Sequence, residues 1–241
     1  MKTVLITGAN KSIGYETAKV LLKQGYFVYI GSRDAGKGEE AVLQLKAEGL
    51  TEAKAIQLNV TDPESVAAAA RQVDQLDILI NNAGISGAFP QPAATVDVGV
   101  LREVFDTNFF GTIQVTQAFL PLLKQSSAPV IVNVTSGLGS LTLHSDPSWR
   151  FYPYKSAGYG PSKSALNAYT ISLAYELREA GFKVNAVDPG FTSTDFNHHT
   201  GTGTVESAAL FVAKYATLQA DGPSGKFFSN DYEDMGNESP W

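Results

Sequence analysis

The run Thr3-Val4-Leu5-Ile6-Thr7-Gly8-Ala9-Asn10-Lys11-Ser12-Ile13-Gly14 changes character halfway along. Its first half is short, apolar and rich in β-branched residues, the composition of a strand covered on both faces. Its second half is a glycine-bearing turn that opens onto a helical stretch, 13–23. A strand passing through such a turn into a helix begins a βαβ unit, and this turn can cradle a pyrophosphate. Glycine lets the backbone approach closely, and the helix start directs N–H groups and positive dipole at the anion. The candidate contacts are Gly8, Asn10, Lys11, Ser12, Ile13 and Gly14. Two readings stand at this point, a dinucleotide site or a strand–helix turn with no ligand. Ser12 takes the middle place of the expected glycine triplet, where its hydroxyl can donate to a phosphate.

The pattern continues outward from this unit. Apolar, β-branched runs at 27–32, 55–60, 78–81, 130–135 and 184–187 predict further strands, with a short one at 226–229 inside a loop-rich tail, 221–241. Helical stretches at 38–47, 64–73, 98–123, 165–178 and 205–218 alternate with them. Strict alternation of this kind predicts an α/β fold, a single-domain Rossmann-type doubly wound parallel sheet with helices on both faces. Thr61-Asp62-Pro63-Glu64 reads as a Thr/Glu capping box, and Gly25 and Gly181 stand where helices should stop.

Composition bounds the function. The chain has 241 residues, 44% of them hydrophobic and 17% charged, so it can bury a core and is not disordered. One domain spanning 1–241 is expected, since no composition break or repeat divides it. The net charge of −6 argues against nucleic acid or an anionic membrane as partner. With no Cys and 3 His, thiol chemistry is excluded and no metal centre is expected. The N-terminal apolar stretch is too brief for a signal peptide, and no apolar run nears the ~18 residues of a membrane span, which predicts a soluble cytoplasmic protein.

The turn after the second strand bears on the cofactor. An acidic residue there suits the ribose hydroxyls of NAD, and a basic one suits the 2′-phosphate of NADP. Arg33 offers a planar fork for a phosphate and Lys11 a second positive charge, so NADP(H) is expected as the preferred cofactor. Asp34 keeps NAD(H) possible. The alternative is that Arg33 merely pairs with Asp34 or faces solvent.

Tyr159 and Lys163 stand four apart, on one face of a helix. With 10 Tyr and 13 Lys in the chain, chance supplies roughly 0.5 such pairs, and Tyr15 with Lys19 is a second instance. Position separates them, because Tyr159 follows the strand that ends at Thr135 and Ser136, and chemistry in open α/β sheets sits beyond the carboxyl ends of strands. A phenol with its ordinary pKa of ~10 needs its anion stabilised before it can exchange protons near neutrality, and an ammonium does that. Ser136 can bond the same carbonyl oxygen that Tyr159 would protonate while a cofactor delivers hydride to the carbon.

In order along the chain, Thr7-Gly8 and Gly14, Asn81-Asn82-Ala83-Gly84, Asn108 in Asn-Phe-Phe-Gly, Ser136, Tyr159-Gly-Pro-Ser-Lys163 and Pro189-Gly190 make the sequence resemble the classical short-chain dehydrogenase/reductase family, its carbonyl reductases in particular. The resemblance implies Tyr159 as acid/base, Lys163 as the group that lowers its pKa and holds the nicotinamide ribose, Ser136 as the carbonyl-orienting residue and Asn108 as support for a water relay to Lys163. It further implies Asn59 and Val60 near adenine, Asn82, Ala83 and Gly84 along the cofactor, and Pro189, Gly190, Thr192 and Thr194 at the carboxamide. Ser12, where the family usually has Gly, and Asn59, where many members have Asp, are departures that bear on cofactor affinity.

A long segment, 137–158, separates Ser136 from Tyr159 and carries His144, Trp149, Phe151, Tyr152 and Tyr154. It reads either as a surface excursion packing its own aromatics or as a wall of the substrate pocket. The pocket expected from it comprises Leu138, Trp149, Phe151, Phe191 and Phe196, with the substrate loop completed by 190–204. Adjacent His198 and His199 lack carboxylate partners in this reading and are taken as solvent-facing. The chain is therefore expected to be an NAD(P)H-dependent carbonyl reductase, reversible as an alcohol dehydrogenase, favouring hydrophobic or aryl ketones and forming a dimer or tetramer. The alternatives are an NADP-binding regulatory sensor on the same fold, or a ketoacyl-type reductase.

Overall fold

The computed structural model describes residues 1–231 and 237–241. Seven parallel strands form one sheet in the order β3-β2-β1-β4-β5-β6-β7: β1 (Thr3–Ile6), β2 (Phe27–Ser32), β3 (Ala53–Gln57), β4 (Ile78–Asn81), β5 (Val130–Val134), β6 (Lys183–Asp188) and β7 (Phe227–Ser229). Alternate side chains of each strand enter two separate cores. Val4, Ile6, Ile78, Ile80, Val130 and Val132 pack beneath α1 (Ser12–Lys23), α2 (Ala35–Ala47) and α8 (Val205–Ala216). On the other face, Leu5, Leu79 and Ile131 pack beneath α3 (Pro63–Ala70), α5 (Gly111–Leu123) and α7 (Tyr159–Glu176). Because both faces are covered, the strands read as continuous apolar runs, and the fold is the doubly wound Rossmann type expected.

The strand order reverses between β1 and β4, so the loops leaving β1, β4, β5 and β6 meet along one crevice at their carboxyl ends. A buried amide ladder ties this centre together. Asn81 Nδ2 donates to Asn133 Oδ1 (2.9 Å) and Thr116 Oγ1 (3.0 Å), and Asn133 Nδ2 donates to Thr170 Oγ1 (2.9 Å).

Local details depart from the sequence reading. The stretch 98–123 is not one helix: α4 (Val98–Phe105) passes through a π-helical turn, Asp106–Phe110, before α5 begins. The cap of α3 is Asp62 and not Thr61; with Pro63 at the first helical position, Asp62 Oδ1 accepts from the N–H groups of Glu64 (2.9 Å) and Ser65 (3.3 Å), while Thr61 bonds Asn59. The edge strand β3 begins and ends earlier than 55–60, leaving Asn59 and Val60 in the following turn. The catalytic-side helix starts at Tyr159, six residues before the predicted 165. In the tail, 232–236 of the predicted loop lie outside the described residues. No helix among the described residues is long and apolar enough to cross a membrane.

Candidate active site

The glycine turn is strapped to the loop after β4. Thr7 Oγ1 accepts from the N–H groups of Asn82 and Ala83, both at 2.9 Å, and Asn82 Nδ2 donates back to the carbonyls of Thr7 (2.9 Å) and Gly8 (3.1 Å). A Cβ on Gly14 would stand 2.6 Å from Asn82 Nδ2 and 2.7 Å from the Gly8 carbonyl, so glycine is obligatory there. No side chain caps the start of α1, and its first N–H groups face the crevice end of β1 in the manner of an anion cradle. Ser12 holds φ +53°, the left-handed region that the missing glycine would occupy without strain. These features fit a dinucleotide pyrophosphate.

Arg33 and Lys11 diverge. Arg33 is exposed beyond β2, and among the described residues no carboxylate lies within ion-pair distance of it. Asp34 does not pair with it but caps α2, accepting from Lys37 N–H at 3.0 Å. Lys11 Nζ lies 2.8 Å from Asp195 Oδ2, joining the glycine turn to the segment after β6. His199 Nε2 stands 3.0 Å from Asp195 Oδ1, so the expectation that His198 and His199 lack a carboxylate partner fails for His199. Among the described residues no cluster of three or more His, Asp or Glu is arranged to hold a metal.

Tyr159, Lys163, Ser136 and Asn108 converge at the crevice. Lys163 is buried, its Nζ donating to the Val134 carbonyl at 2.9 Å and lying 5.9 Å from the centre of the Tyr159 ring. Asn108, in the π-turn, is fully buried. Its Oδ1 accepts from Ile85 N–H (2.8 Å), and its Nδ2 donates to the Ile85 carbonyl (2.9 Å) and to Ser162 Oγ (3.0 Å), which donates to the Tyr159 carbonyl (2.7 Å). A Cβ on Gly84 would stand 3.3 Å from Asn108 Oδ1 and 3.6 Å from Lys163 Nζ, so the loop after β4 lies against both side chains. The other pair takes no part in this group: Tyr15 packs against the core beneath α1, and Lys19 bridges to Glu48 at 2.6 Å.

Electrostatics set the protonation states. Burial raises the Tyr159 phenol well above its ordinary range, opposed by a hydrogen bond from Ser136, with the Asp188 carboxylate adding to the rise. Burial draws the Lys163 ammonium down to about 8, with Asp188 pulling back upward. Asp188 itself is pushed up to about 6 by burial, opposed by the Ser229 hydroxyl. Asp188 and Gln91 escaped the sequence reading. A charged residue closing the apolar run before Pro189 was a signal for the first. The second has none, because the groups it serves are distant along the chain.

The segment 137–158 folds over the site. It holds a short helix, α6 (Leu141–His144), and is anchored at both ends. Ser164 Oγ donates to the Gly139 carbonyl (2.9 Å), Ser140 Oγ donates to the Pro240 carbonyl (2.7 Å), and Ala157 N–H donates to the Gln91 carbonyl (3.0 Å). Its aromatics pack against one another and against the loop after β6. Trp149, Phe151 and Phe191 stack edge-to-face, with ring centres 5.5 and 5.7 Å apart, while Tyr154 stays exposed. Phe196 closes on the Tyr159 ring at 5.4 Å, and Leu138 is half-buried beside Ser136.

A doubly wound sheet with a phosphate cradle after β1 and a Ser, Tyr and Lys group after β5 defines a nucleotide-dependent oxidoreductase. A family model described as short chain dehydrogenase matches residues 2–204, and the chain belongs to that family. It is 31% identical to (+)-neomenthol dehydrogenase of Capsicum annuum, covering 93% of this chain and 94% of that one, and 31% identical to salutaridine reductase of Papaver bracteatum, covering 95% and 94%. Among solved structures, salutaridine reductase from Papaver somniferum superposes with a TM-score of 0.82 at 30% identity, covering 95% of this chain and all of that one. NADPH-bound carbonyl reductase from chicken fatty liver gives 0.83 at 28%, covering 100% and 99%. The chain is an enzyme, an oxidoreductase interconverting carbonyl and alcohol groups.

Proposed function

We propose that the enzyme reduces hydrophobic or aryl ketones and aldehydes with NADPH as the preferred reductant, and runs in reverse as an alcohol dehydrogenase. The observation that carries this reading is the convergence of Ser136, Tyr159 and Lys163, with Phe196 against the Tyr159 ring and Trp149 against Gly137 of the Ser136 turn. Gly8, Asn10, Ser12, Ile13 and Gly14 would hold the pyrophosphate, Arg33 the 2′-phosphate, Asn59 and Val60 the adenine, and Asn82 to Gly84 with Pro189, Gly190, Thr192 and Thr194 the nicotinamide half. Lys11, joined to Asp195, supports phosphate binding from the rim. NADP preference is supported by the NADPH-bound and NADP-bound relatives as well as by Arg33.

Bound there, the reduced nicotinamide supplies hydride to the carbonyl carbon. Ser136 Oγ donates a hydrogen bond to the carbonyl oxygen, Tyr159 Oη gives that oxygen its proton, and the Lys163 ammonium stabilises the phenolate left behind. Asn108, beside Lys163, stands where a water relay would return the proton. The full set of four favours catalysis over a regulatory sensor, which needs none of them.

The test follows nicotinamide absorbance with aryl ketones, keto esters, quinones and an acyl-carrier-type thioester, using NADPH and NADH in turn. Turnover of bulky apolar ketones that Tyr159→Phe reduces by at least ~10²-fold, with NADPH binding intact, is expected. Cofactor binding without turnover on any carbonyl would favour the sensor, and preference for the thioester the ketoacyl reading. A cytoplasmic dimer or tetramer completes the proposal. Its support is the exposed apolar Phe110 in the turn between α4 and α5 and Ile171 and Tyr175 on α7, and light scattering and fractionation test it.

A further inference from the structure

Asp188 closes β6 with its side chain buried, and every group around it belongs to a segment that shapes the site. Oδ1 accepts from Gly190 N–H at 3.0 Å, holding the Pro189-Gly190 turn. Oδ2 accepts from the fully buried Ser229 Oγ at 2.7 Å, at the end of β7. The same oxygen lies 3.3 Å from where a Cβ on Gly137 would stand, and the Gly137 N–H, in the turn that carries Ser136, favours the charged carboxylate. The Asp188 carbonyl accepts from Asn230 N–H at 3.0 Å. One carboxylate thus joins the Ser136 turn, the nicotinamide-side turn and the last strand.

Such a buried carboxylate is costly unless its charge is used. Among the described residues, the charged and titratable groups facing it are Lys163 and Tyr159 from α7 and Asp231 beyond β7, the last already neutralised by Arg150 Nη2 at 2.7 Å. Lys163 is the cation that remains among them; its own direct partner is the neutral carbonyl of Val134, which pairs across β5 and β6 with Val187, the residue before Asp188. We propose that Asp188 is a positioning residue of the hydride-transfer site, fixing the Ser136 and Pro189-Gly190 turns to each other and supplying the counter-charge that keeps Lys163 an ammonium. The inference rests on the reductase reading for its kinetic consequence, but its charge component stands without it.

The test labels lysine with ¹³C at Cε, assigns Lys163 as the resonance lost in Lys163→Arg, and titrates the cofactor-free protein and Asp188→Asn by NMR. The amide keeps the shape and removes the charge, and Ser229 can rotate its hydroxyl to accept from the new N–H₂. Lys163 should titrate roughly 0.5–1 pH unit lower in the variant. The alkaline limb of ketone reduction should move down by the same amount and kcat should fall several-fold. Asp188→Ser, a smaller neutral side chain, repeats the measurement if the amide variant fails to fold. A Lys163 titration that stays in place in a folded neutral variant overturns the proposal. A moved titration with no carbonyl turnover in the parent enzyme would instead count against the reductase reading and leave the charge pairing supported.

Discussion

Gln91 Oε1 accepts the main-chain N–H groups of Gly158 (3.2 Å) and Tyr159 (3.1 Å), while its Nε2 donates to the Ser86 carbonyl at 2.8 Å. The helix carrying Tyr159 and Lys163 has no cap from its own preceding residue, Gly158. It is capped by a buried side chain from the loop after β4. Gln91→Ala should therefore lower stability by about 1 kcal/mol, as other lost N-caps do, and lower kcat more than it changes the KM for NADPH. Gln91→Glu keeps the acceptor but sets a carboxylate oxygen against the Ser86 carbonyl in a buried site, and should be no more stable than Gln91→Ala at neutral pH. Chemical denaturation and initial rates on the two variants check both statements.

Cofactor discrimination is expected to rest on Arg33. Charge-assisted hydrogen bonds to a phosphate are worth roughly 1.5–3 kcal/mol, so Arg33→Ala should raise the KM for NADPH by tenfold or more while leaving NADH nearly unchanged. Asp34 is committed to capping α2, so Asp34→Ala should weaken that helix more than it alters the choice between cofactors.

Ser12 sits in a backbone conformation that costs an L-residue roughly 1–2 kcal/mol. Ser12→Gly relieves that strain in the folded state and gives back part of it through a more flexible unfolded chain. The expected net is a thermal midpoint raised by one or two degrees, with NADPH affinity unchanged if the hydroxyl makes no phosphate bond and reduced if it does. Differential scanning calorimetry with and without NADPH separates the two.

The alkaline behaviour of reduction follows from Lys163. Its ammonium titrates near 8 in the fold, and only the charged form stabilises the phenolate produced at Tyr159. Reduction should be at full rate below that value and fall as pH rises through it. A pH–rate profile of kcat with NADPH, flat through pH 9, would contradict this.

Trimming Trp149 or Phe151 to Ala removes part of the aromatic bridge to Phe191 and should raise the KM of bulky aryl ketones about tenfold, with acetone-sized ketones little affected. An unchanged substrate profile with altered particle mass would make the segment an assembly element.

The sheet was legible because its strands are buried on both faces and therefore announce themselves as apolar runs; β1 and β4 end where the pattern places them, within one residue. The Ser136, Tyr159 and Lys163 group was legible for a different reason, since its residue types are fixed by chemistry and its positions by the carboxyl ends of strands. What escaped was non-local. The π-turn around Asn108 breaks a helix whose sequence has neither Pro nor Gly between Gly99 and Gly111 to mark the break. Gln91 caps a helix 68 positions away, and Asp188 gathers partners from 137, 190 and 229. Side chains that act across the fold leave no periodicity to read.

The anchoring of the 137–158 segment has an engineering consequence. Gly139, Ser140 and Thr142 at one end and Ser156 and Ala157 at the other are bonded to α7, Gln91, Pro240 and Trp241, and between these ends Arg150 makes an ion pair to Asp231. With Arg150 kept, the interior 143–155 is thus an exchangeable cassette between two soldered joints. Grafts of other sequences there can re-address the enzyme to new ketones, in directed evolution or design, while the proton-transfer machinery beneath is left untouched.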